Sequence, residues 1–206
     1  MSAREEVLGR IRTALGGDRP RVAVPPLPAP RSLGRDELLD LLAERVEDYR
    51  ATVLRCAPDE IPATVVRGLD SALGTGWDPA GVVVAPGVPA AWRPSGAPED
   101  DGRPAVGLAA FAATLTGVAT AIAETGTLVL DGSPLSGRRA LSLLPDVLVC
   151  VVEAAQVVPD VPDALARLDP LAPLTMVSGP SATSDIELQR VEGVHGPRTL
   201  VVVLAG

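Results

Sequence analysis

The chain contains no lysine, and all 18 of its basic residues are arginines. Schiff-base catalysis needs a lysine amine and the P-loop needs a phosphate-binding lysine, so both are excluded. Any anion bound here is therefore expected to be held by arginine or by backbone N–H groups. The net charge of −8 argues against nonspecific nucleic-acid binding, which requires a basic face.

Cysteine, histidine and aromatic residues are also scarce. The two cysteines, Cys56 and Cys150, lie far apart in apolar sequence and are predicted to be buried free thiols. With one histidine and no Cys-x-x-Cys motif, the chain by itself is not expected to hold a metal or an iron–sulfur cluster. Two tryptophans, one tyrosine and one phenylalanine are too few for a base-stacking platform.

Long apolar runs are missing too. No uninterrupted stretch reaches the ~20 residues that span a bilayer, and the acidic N-terminus is not followed by the apolar region of a signal peptide. A cytoplasmic protein without membrane insertion is therefore expected. With 206 residues, 47% of them hydrophobic, the chain is long enough for one domain with a large core.

The N-terminal segment differs from the rest of the chain. Ser2-Ala3-Arg4-Glu5 is a capping box, and Val7, Leu8, Ile11 and Leu15 follow at helical spacing. A proline-rich strap over 20–30 then separates this helix from the body. Residues 1–31 are predicted to be a tethered helix and strap, and residues 32–206 a single domain. The apolar stripe predicts docking on the body, on a second copy or on a partner.

Short apolar runs alternate with helical patterns along the body. Because the runs lack polar alternation, the fold predicted is α/β, with a parallel or mixed sheet covered by helices on both faces. Residues 93–104 are predicted to be an acidic surface loop, 114–123 a strand–helix passage and 185–191 a helix. Strands are predicted over 52–54, 82–84, 127–130, 147–152, 174–177 and 200–204, and further helices at 36–49, 58–73, 139–144 and 161–168.

The segment 178–198 carries the densest polar chemistry. Ser181 and Thr183 crowd the start of the predicted helix, where free N–H groups and hydroxyls favour an anion. The alternative is ordinary capping, because Ser184-x-x-Glu187 is itself a capping box. His195 lies between glycines and titrates near neutral pH, but a loop histidine is more often structural or solvated. Arg198 is placed to clamp a carboxylate or to form an ion pair with Asp185 or Glu187.

Glu124 is a lone carboxylate in an otherwise apolar stretch. If its surroundings are buried, it must be paired or protonated, which makes it a candidate acid, base or nucleophile. Arg138 and Arg139 are its expected partners. The alternative is a turn glutamate that faces water.

Four blocks together resemble the LUD-domain family, and within it the short form. The blocks are Glu-Thr-Gly-Thr at 124–127, Arg-x-Leu-Ser-Leu-Leu-Pro at 139–145, Ser-Gly-Pro-Ser-x-Thr-x-Asp-Ile-Glu at 178–187 and Gly-Val-His-Gly-Pro-Arg at 193–198. The resemblance is strong over about 110–206 and weak for the N-terminal helix and strap. Ala182 stands where the family often has arginine, which removes one candidate anion contact.

The resemblance implies a fold like that of ribose-5-phosphate isomerase, glucosamine-6-phosphate deaminase and CoA transferases. It implies a role in oxidising L-lactate to pyruvate beside two cysteine-rich partners, one of them a longer iron–sulfur LUD protein. This chain would then be the cluster-free member, with the iron–sulfur clusters on its partners. The glutamate nucleophile of CoA transferases would correspond to Glu124, by fold analogy alone.

Three functions therefore stay open. The first is a component of a lactate-oxidising system that keeps a pocket for a small anionic metabolite; whether this chain is itself an enzyme is left open. The second is a stand-alone enzyme or sensor for a phosphorylated, CoA-type or folate-type metabolite, and the third is a non-catalytic assembly protein. The candidate catalytic residues are Glu124 and His195. The candidate ligand-binding residues are Thr125, Gly126, Thr127, Arg139, Ser178, Gly179, Ser181, Thr183, Asp185 and Arg198, which are expected to meet at one edge of the sheet.

Overall fold

The computed structural model of the chain describes residues 2–16, 33–184, 190–192 and 196–206. A central sheet is built from five strands: β1 (Thr52–Cys56), β2 (Val82–Val84), β3 (Ala113–Gly117), β6 (Val147–Glu153) and β11 (Thr199–Ala205). Their order in the sheet is β1-β11-β6-β3-β2, and every neighbouring pair is parallel. The six strands predicted from apolar runs are all present, four of them in this sheet.

Helices cover both faces of the central sheet, as the uninterrupted apolar runs predict. Helix α2 (Arg35–Asp48) packs Leu42 and Val46 on one face, and α3 (Ile61–Leu73) packs Val65 and Leu69 on the other. Along β11 the side chains divide accordingly, with alternate residues joining the core beneath each helix. The protein therefore has the α/β architecture expected from its sequence.

A smaller second sheet lies beside the first. Its strands are β4 (Thr120–Ile122), β5 (Thr127–Leu130), β7 (Val157–Val158) and β8 (Thr175–Val177), in the order β7-β4-β5-β8. Strand β5 is antiparallel to both of its neighbours. The short helix α5 (Val161–Arg167) covers one face through Ala164, and α4 (Ala105–Leu108) precedes β3. In this sheet β8 is an edge strand.

The N-terminal helix α1 (Ala3–Leu15) forms with the predicted capping box. The Ser2 N–H donates to Glu5 at 2.6 Å, and the Glu5 N–H donates to the Ser2 hydroxyl at 3.3 Å. No α1 residue is buried, and Val7, Ile11 and Leu15 are about half exposed. Docking on the body is therefore not observed, and docking on a second copy or a partner stays a prediction. The strap predicted over 20–30 lies outside the described residues.

One secondary-structure prediction is wrong. Ala113–Gly117 and Thr120–Ile122 form strands β3 and β4 instead of a strand–helix passage over 114–123. Cross-strand pairing overrides the local preference of the sequence there. Strand β9 (Ala182–Ser184) pairs with β10 (Arg190–Glu192). The helix predicted over 185–191 lies outside the described residues, except that 190 and 191 belong to β10.

The loop over 93–104 is only partly the acidic surface loop that its composition predicts. The side chain of Asp100 is 4% exposed and accepts hydrogen bonds from Arg138 at 2.6 and 2.8 Å. Arg138 is thus committed to Asp100, and its expected pairing with Glu124 is not observed. Arg138, 38 positions away in the chain from Asp100, therefore holds this loop in place.

A loop of the chain covers the carboxyl ends of β2 and β3. The Gly87 N–H donates to the Pro134 carbonyl at 2.8 Å, and the Gly117 N–H donates to the Leu135 carbonyl at 3.0 Å. A Cβ at Gly87 would lie 2.6 Å from the backbone of this loop, and one at Gly117 would lie 2.6 Å from the Leu135 side chain, so glycine permits the close approach. At β2 and β3, the strand ends at which many α/β proteins bind their ligands are therefore filled by the chain itself.

Candidate functional site

A groove of about 270 Å³ runs beside edge strand β8 and the turn that follows it. Seven consecutive residues, 175–181, form one wall, and segments that precede β6 and β11 form the other. The lining residues are Ser142, Leu143, Thr175, Met176, Val177, Ser178, Gly179, Pro180, Ser181, Gly196 and Pro197. Three of the four blocks identified in the sequence therefore meet at this groove.

The fourth block joins the groove through a chain of hydroxyl groups. Thr127 lies 2.7 Å from the Thr125 hydroxyl and 2.7 Å from the Ser178 hydroxyl, measured between the Oγ atoms. Thr127 is buried, whereas Ser178 is exposed at the wall of the groove. Because each hydroxyl can both donate and accept, this row can supply Ser178 with a proton and orient it toward a ligand.

Gly126 and Gly179, one in each of two sequence blocks, let the turns beside the groove pack closely on helix α2. Gly126 (φ +60°) and Gly179 (φ +98°) have backbone conformations that favour glycine. A Cβ at Gly126 would lie 2.7 Å from the backbone of Arg45, and one at Gly179 would lie 2.5 Å from the Cβ of Tyr49. Their observed role is close packing of both turns on the carboxyl end of α2.

The opposite wall is built by contacts between distant segments. The Ser181 N–H donates to the Pro197 carbonyl at 2.8 Å. A Cβ at Gly196 would lie 3.3 Å from Ser181 and 3.8 Å from Leu143. A small residue at position 196 thus lets three segments converge here.

Several predicted site residues do not line the groove. Glu124 lies in the β4–β5 turn and is exposed, as the alternative interpretation expects. Arg139 is exposed in a single 3-10 turn, Arg139–Ser142. Arg198 is also exposed, and its Nε lies 3.7 Å from Asp146; the ion pair predicted with Asp185 or Glu187 lies outside the described residues. Thr183 lies in β9, and Asp185 and His195 lie outside the described residues.

Other lining residues were not singled out from the sequence. Ser142 and Leu143 belong to a motif from which only Arg139 was selected, and Thr175 and Met176 were assigned only a strand role. In the described part of the chain, no charged side chain lines the groove. Its polar character comes from serine and threonine hydroxyls and from the backbone. A ligand here is therefore met by neutral hydrogen-bond donors and acceptors.

The groove lies on the side of the central sheet where β6 and β11 begin. Leu143 precedes β6, and Pro197 precedes β11, each by a few residues. This differs from the usual position at carboxyl strand ends, of which those of β2 and β3 are covered by the Pro134–Leu135 loop in this protein. Within the described residues, no cluster of three or more His, Cys, Asp or Glu is placed to hold a metal ion. The same residues contain no helix that is long and apolar enough to cross a membrane.

A comparison with protein families matches residues 94–205 to the LUD domain. The chain belongs to the LUD-domain family. The match includes all four sequence blocks and every residue that lines the groove. The site described above is therefore part of the LUD domain, whereas α1 and α2 lie outside the matched residues.

Individual relatives extend the similarity beyond the matched domain. The chain is 42% identical to lactate utilization protein C of Deinococcus radiodurans, over 99% of this chain and 96% of that protein. It is 37% identical to lactate utilization protein C of Bacillus pumilus, over 40% of this chain and 38% of that protein. A crystal structure of a DUF162 family protein from Deinococcus radiodurans superposes with a TM-score of 0.70 and 36% identity, covering 85% of this chain and all of that one.

Proposed function

We propose that this LUD-domain protein takes part in lactate utilisation and that its groove binds a small carboxylate metabolite. The observation that carries the first part is the 42% identity to lactate utilization protein C of Deinococcus radiodurans, which extends over nearly the whole of both chains. The second part is supported by residues of all four sequence blocks that meet at one groove. Residues 142–143, 178–181 and 196–197 line it, and Thr127 is hydrogen-bonded to Ser178 of its wall.

The finer proposal is a cluster-free component of an iron–sulfur system that oxidises L-lactate to pyruvate. The chain has only two cysteines, fewer than the four ligands that an iron–sulfur cluster commonly takes. Cys56 and Cys150 lie on β1 and β6, which β11 separates. The electrons from lactate would then pass to clusters carried by two cysteine-rich partner proteins.

The size of the groove favours a small ligand. Its volume of about 270 Å³ lies below the ~300–1,000 Å³ of pockets that hold drug-sized molecules. A three-carbon hydroxy acid or keto acid suits this volume better than CoA or a folate. This observation favours the lactate hypothesis over a stand-alone enzyme for the larger metabolites.

The hydroxyl row supplies the binding chemistry of this proposal. Ser178 would donate to the ligand carboxylate while its own oxygen accepts from Thr127, whose oxygen accepts in turn from Thr125. Each bond in such a chain polarises the next, which strengthens the final donor. The wall formed by Leu143 and Met176 would exclude water from the methyl end of the ligand. Orientation of a small acid, with no covalent step, is the role proposed for the described residues.

Growth tests the role in lactate utilisation. A clean deletion of the gene should abolish growth on L-lactate as sole carbon source while leaving growth on pyruvate intact. Expression of the wild-type chain should restore it, and affinity-tagged chain should co-purify with two cysteine-rich proteins. Normal growth of the deletion strain on lactate, with no second copy of the gene present, would contradict the proposal.

Calorimetric titration with L-lactate and with pyruvate tests the groove. Ser178→Ala and Thr127→Val should each weaken binding about fivefold to tenfold, which is what loss of one hydrogen bond of about 1 kcal/mol or slightly more produces. Ser71→Ala, an exposed serine on α3, is the matched control and should bind like the wild type. If neither acid binds to the wild-type chain, the groove proposal fails even where the growth result holds.

A further inference from the structure

The sulfur atoms of the described chain differ sharply in their access to solvent. Cys150 is fully buried in β6, where its thiol lies 3.4 Å from the Thr116 hydroxyl, and Cys56 is buried at the end of β1. Met176, in contrast, is 50% exposed. The only other methionine of the chain is Met1.

Burial also makes both thiols poor nucleophiles. Desolvation raises the pKa of Cys150 to about 12 and raises the pKa of Cys56 as well. Because the thiolate is the nucleophile that attacks a peroxide oxygen, both cysteines are protected at neutral pH by their neutral thiol form and by their burial. A thioether has no such dependence on protonation, so the reactivity of Met176 follows its exposure.

Met176 also lies at the wall of the groove. It is the central residue of edge strand β8, pairs with Val129 of β5 and lines the groove beside Leu143. The neighbouring Val177 turns to the opposite face of the sheet and packs into the core beneath α2. Met176 is therefore half exposed within a paired strand, at the wall of the groove.

We propose that Met176 is a reversible oxidation site through which a peroxide changes the wall of the groove. A lone pair on the thioether sulfur attacks one oxygen of hydrogen peroxide, and the O–O bond breaks. The proton on the transferred oxygen passes to the departing oxygen, which leaves as water. The sulfur loses two electrons and the peroxide gains them. The product is a sulfoxide, so an apolar side chain becomes a polar hydrogen-bond acceptor.

Oxidation of Met176 requires no particular ligand in the groove, because it depends only on the exposure and the position of this side chain. Methionine sulfoxide reductases, with a thiol reductant, return a sulfoxide to the thioether. The groove would then have two interconvertible states, one with an apolar wall at position 176 and one with a polar wall.

Mass mapping of the full chain is the first arm of the test. Limited hydrogen peroxide should add one oxygen, about 16 Da, to the peptide that contains Met176, at a rate within about fivefold of that for N-acetylmethionine amide. Met176→Leu conserves side-chain volume and should gain oxygen only in the peptide that contains Met1. A mixture of both methionine sulfoxide reductases should remove the added oxygen.

Two mapping results would overturn the proposal. One is oxygen on Cys56 or Cys150 while Met176 is still a thioether. The other is a rate for Met176 more than a hundredfold below that of the free amide.

An amide-resolved NMR comparison of reduced and oxidised chain is the second arm. Chemical shifts should change along 175–181 and at Leu143 and Gly196, whereas signals of α3, on the far face of the central sheet, should stay in place. The Met176→Leu chain, treated in the same way, should show none of these changes. Unchanged signals at Leu143 and Gly196 in fully oxidised protein would refute the effect on the groove, with no reference to lactate.

Discussion

Removal of the Arg138 guanidinium should destabilise the protein far more than a surface ion pair would. Arg138 donates two hydrogen bonds to Asp100, whose side chain is 4% exposed, while the Arg138 side chain is 34% exposed. Breaking a fully buried pair costs about 3–5 kcal/mol, because an unpaired charge stays behind. Since one partner here reaches solvent, we expect Arg138→Ala to lower the free energy of unfolding by about 2–3 kcal/mol.

Thermal and urea unfolding at pH 7 measure this effect. For a domain of this size, 1 kcal/mol corresponds to a shift in Tm of roughly 2–4 °C, so the midpoint should fall by about 4–12 °C. Arg55→Ala is the matched control, because Arg55 pairs with Asp40 at 2.6 Å and both side chains are about half exposed or more. Its Tm should stay within about 2 °C of the wild type.

The stability that Arg138→Ala removes depends on pH in a direction that the Asp100 pKa determines. The hydrogen bond from Arg138 holds the pKa of Asp100 below its ordinary value of 3.8, so the folded state binds a proton less readily than the unfolded state. The stabilisation is therefore fully present above that ordinary value and disappears as the pH falls through the lower pKa of the folded state. The difference between wild type and Arg138→Ala should shrink below about pH 4.

Two results would refute the reasoning. One is a Tm for Arg138→Ala within 1 °C of the wild type at pH 7, and the other is a difference that is the same at pH 7 and pH 3. A double-mutant cycle with Asp100→Asn adds a check, because the double variant should lose less than the sum of the single losses.

Two further predictions concern the glycine turns and the N-terminal helix. Gly179→Ala should lower the free energy of unfolding by more than about 2 kcal/mol, because it adds a clash with Tyr49 to an unfavourable positive φ. Gly76→Ala, with a similar φ and open space around the added Cβ, should lose only about 1 kcal/mol, and equal losses in urea titrations would contradict this. Deletion of residues 1–30 should leave the Tm of the body unchanged, because no α1 residue is buried. If α1 is the docking arm, the deletion should also abolish association with partners. A fall in Tm of more than about 3 °C would show instead that the segment packs on the body.

Part of the candidate site was accessible from sequence and part was not. The motifs that contain Thr127, Ser178 and Ser181 were recognised, because small polar residues between apolar strands are a local signal. The charged candidates Glu124 and Arg198 were selected by residue type, and the structure places both outside the groove. Residue type reports what a side chain can do, but its direction depends on strand pairing and turn geometry. For Asp185 and His195 the prediction stays untested.

The sequence alone determined the class of this fold. Runs such as 147–152 and 200–204 are apolar without polar alternation, which is typical of strands covered by helices on both faces. Lysine-dependent chemistry was excluded by composition, because no fold can supply a missing side chain.

Only the tertiary structure decided which distant residues meet. The pairing of Asp100 with Arg138, the Thr127–Ser178 hydrogen bond and the half-exposed Met176 each join or separate segments far apart in the chain. Such contacts depend on strand order, register and the close approach that glycines allow, and local sequence carries no record of these. The groove likewise lies where segments distant in the chain meet, while the Pro134–Leu135 loop covers the carboxyl ends of β2 and β3.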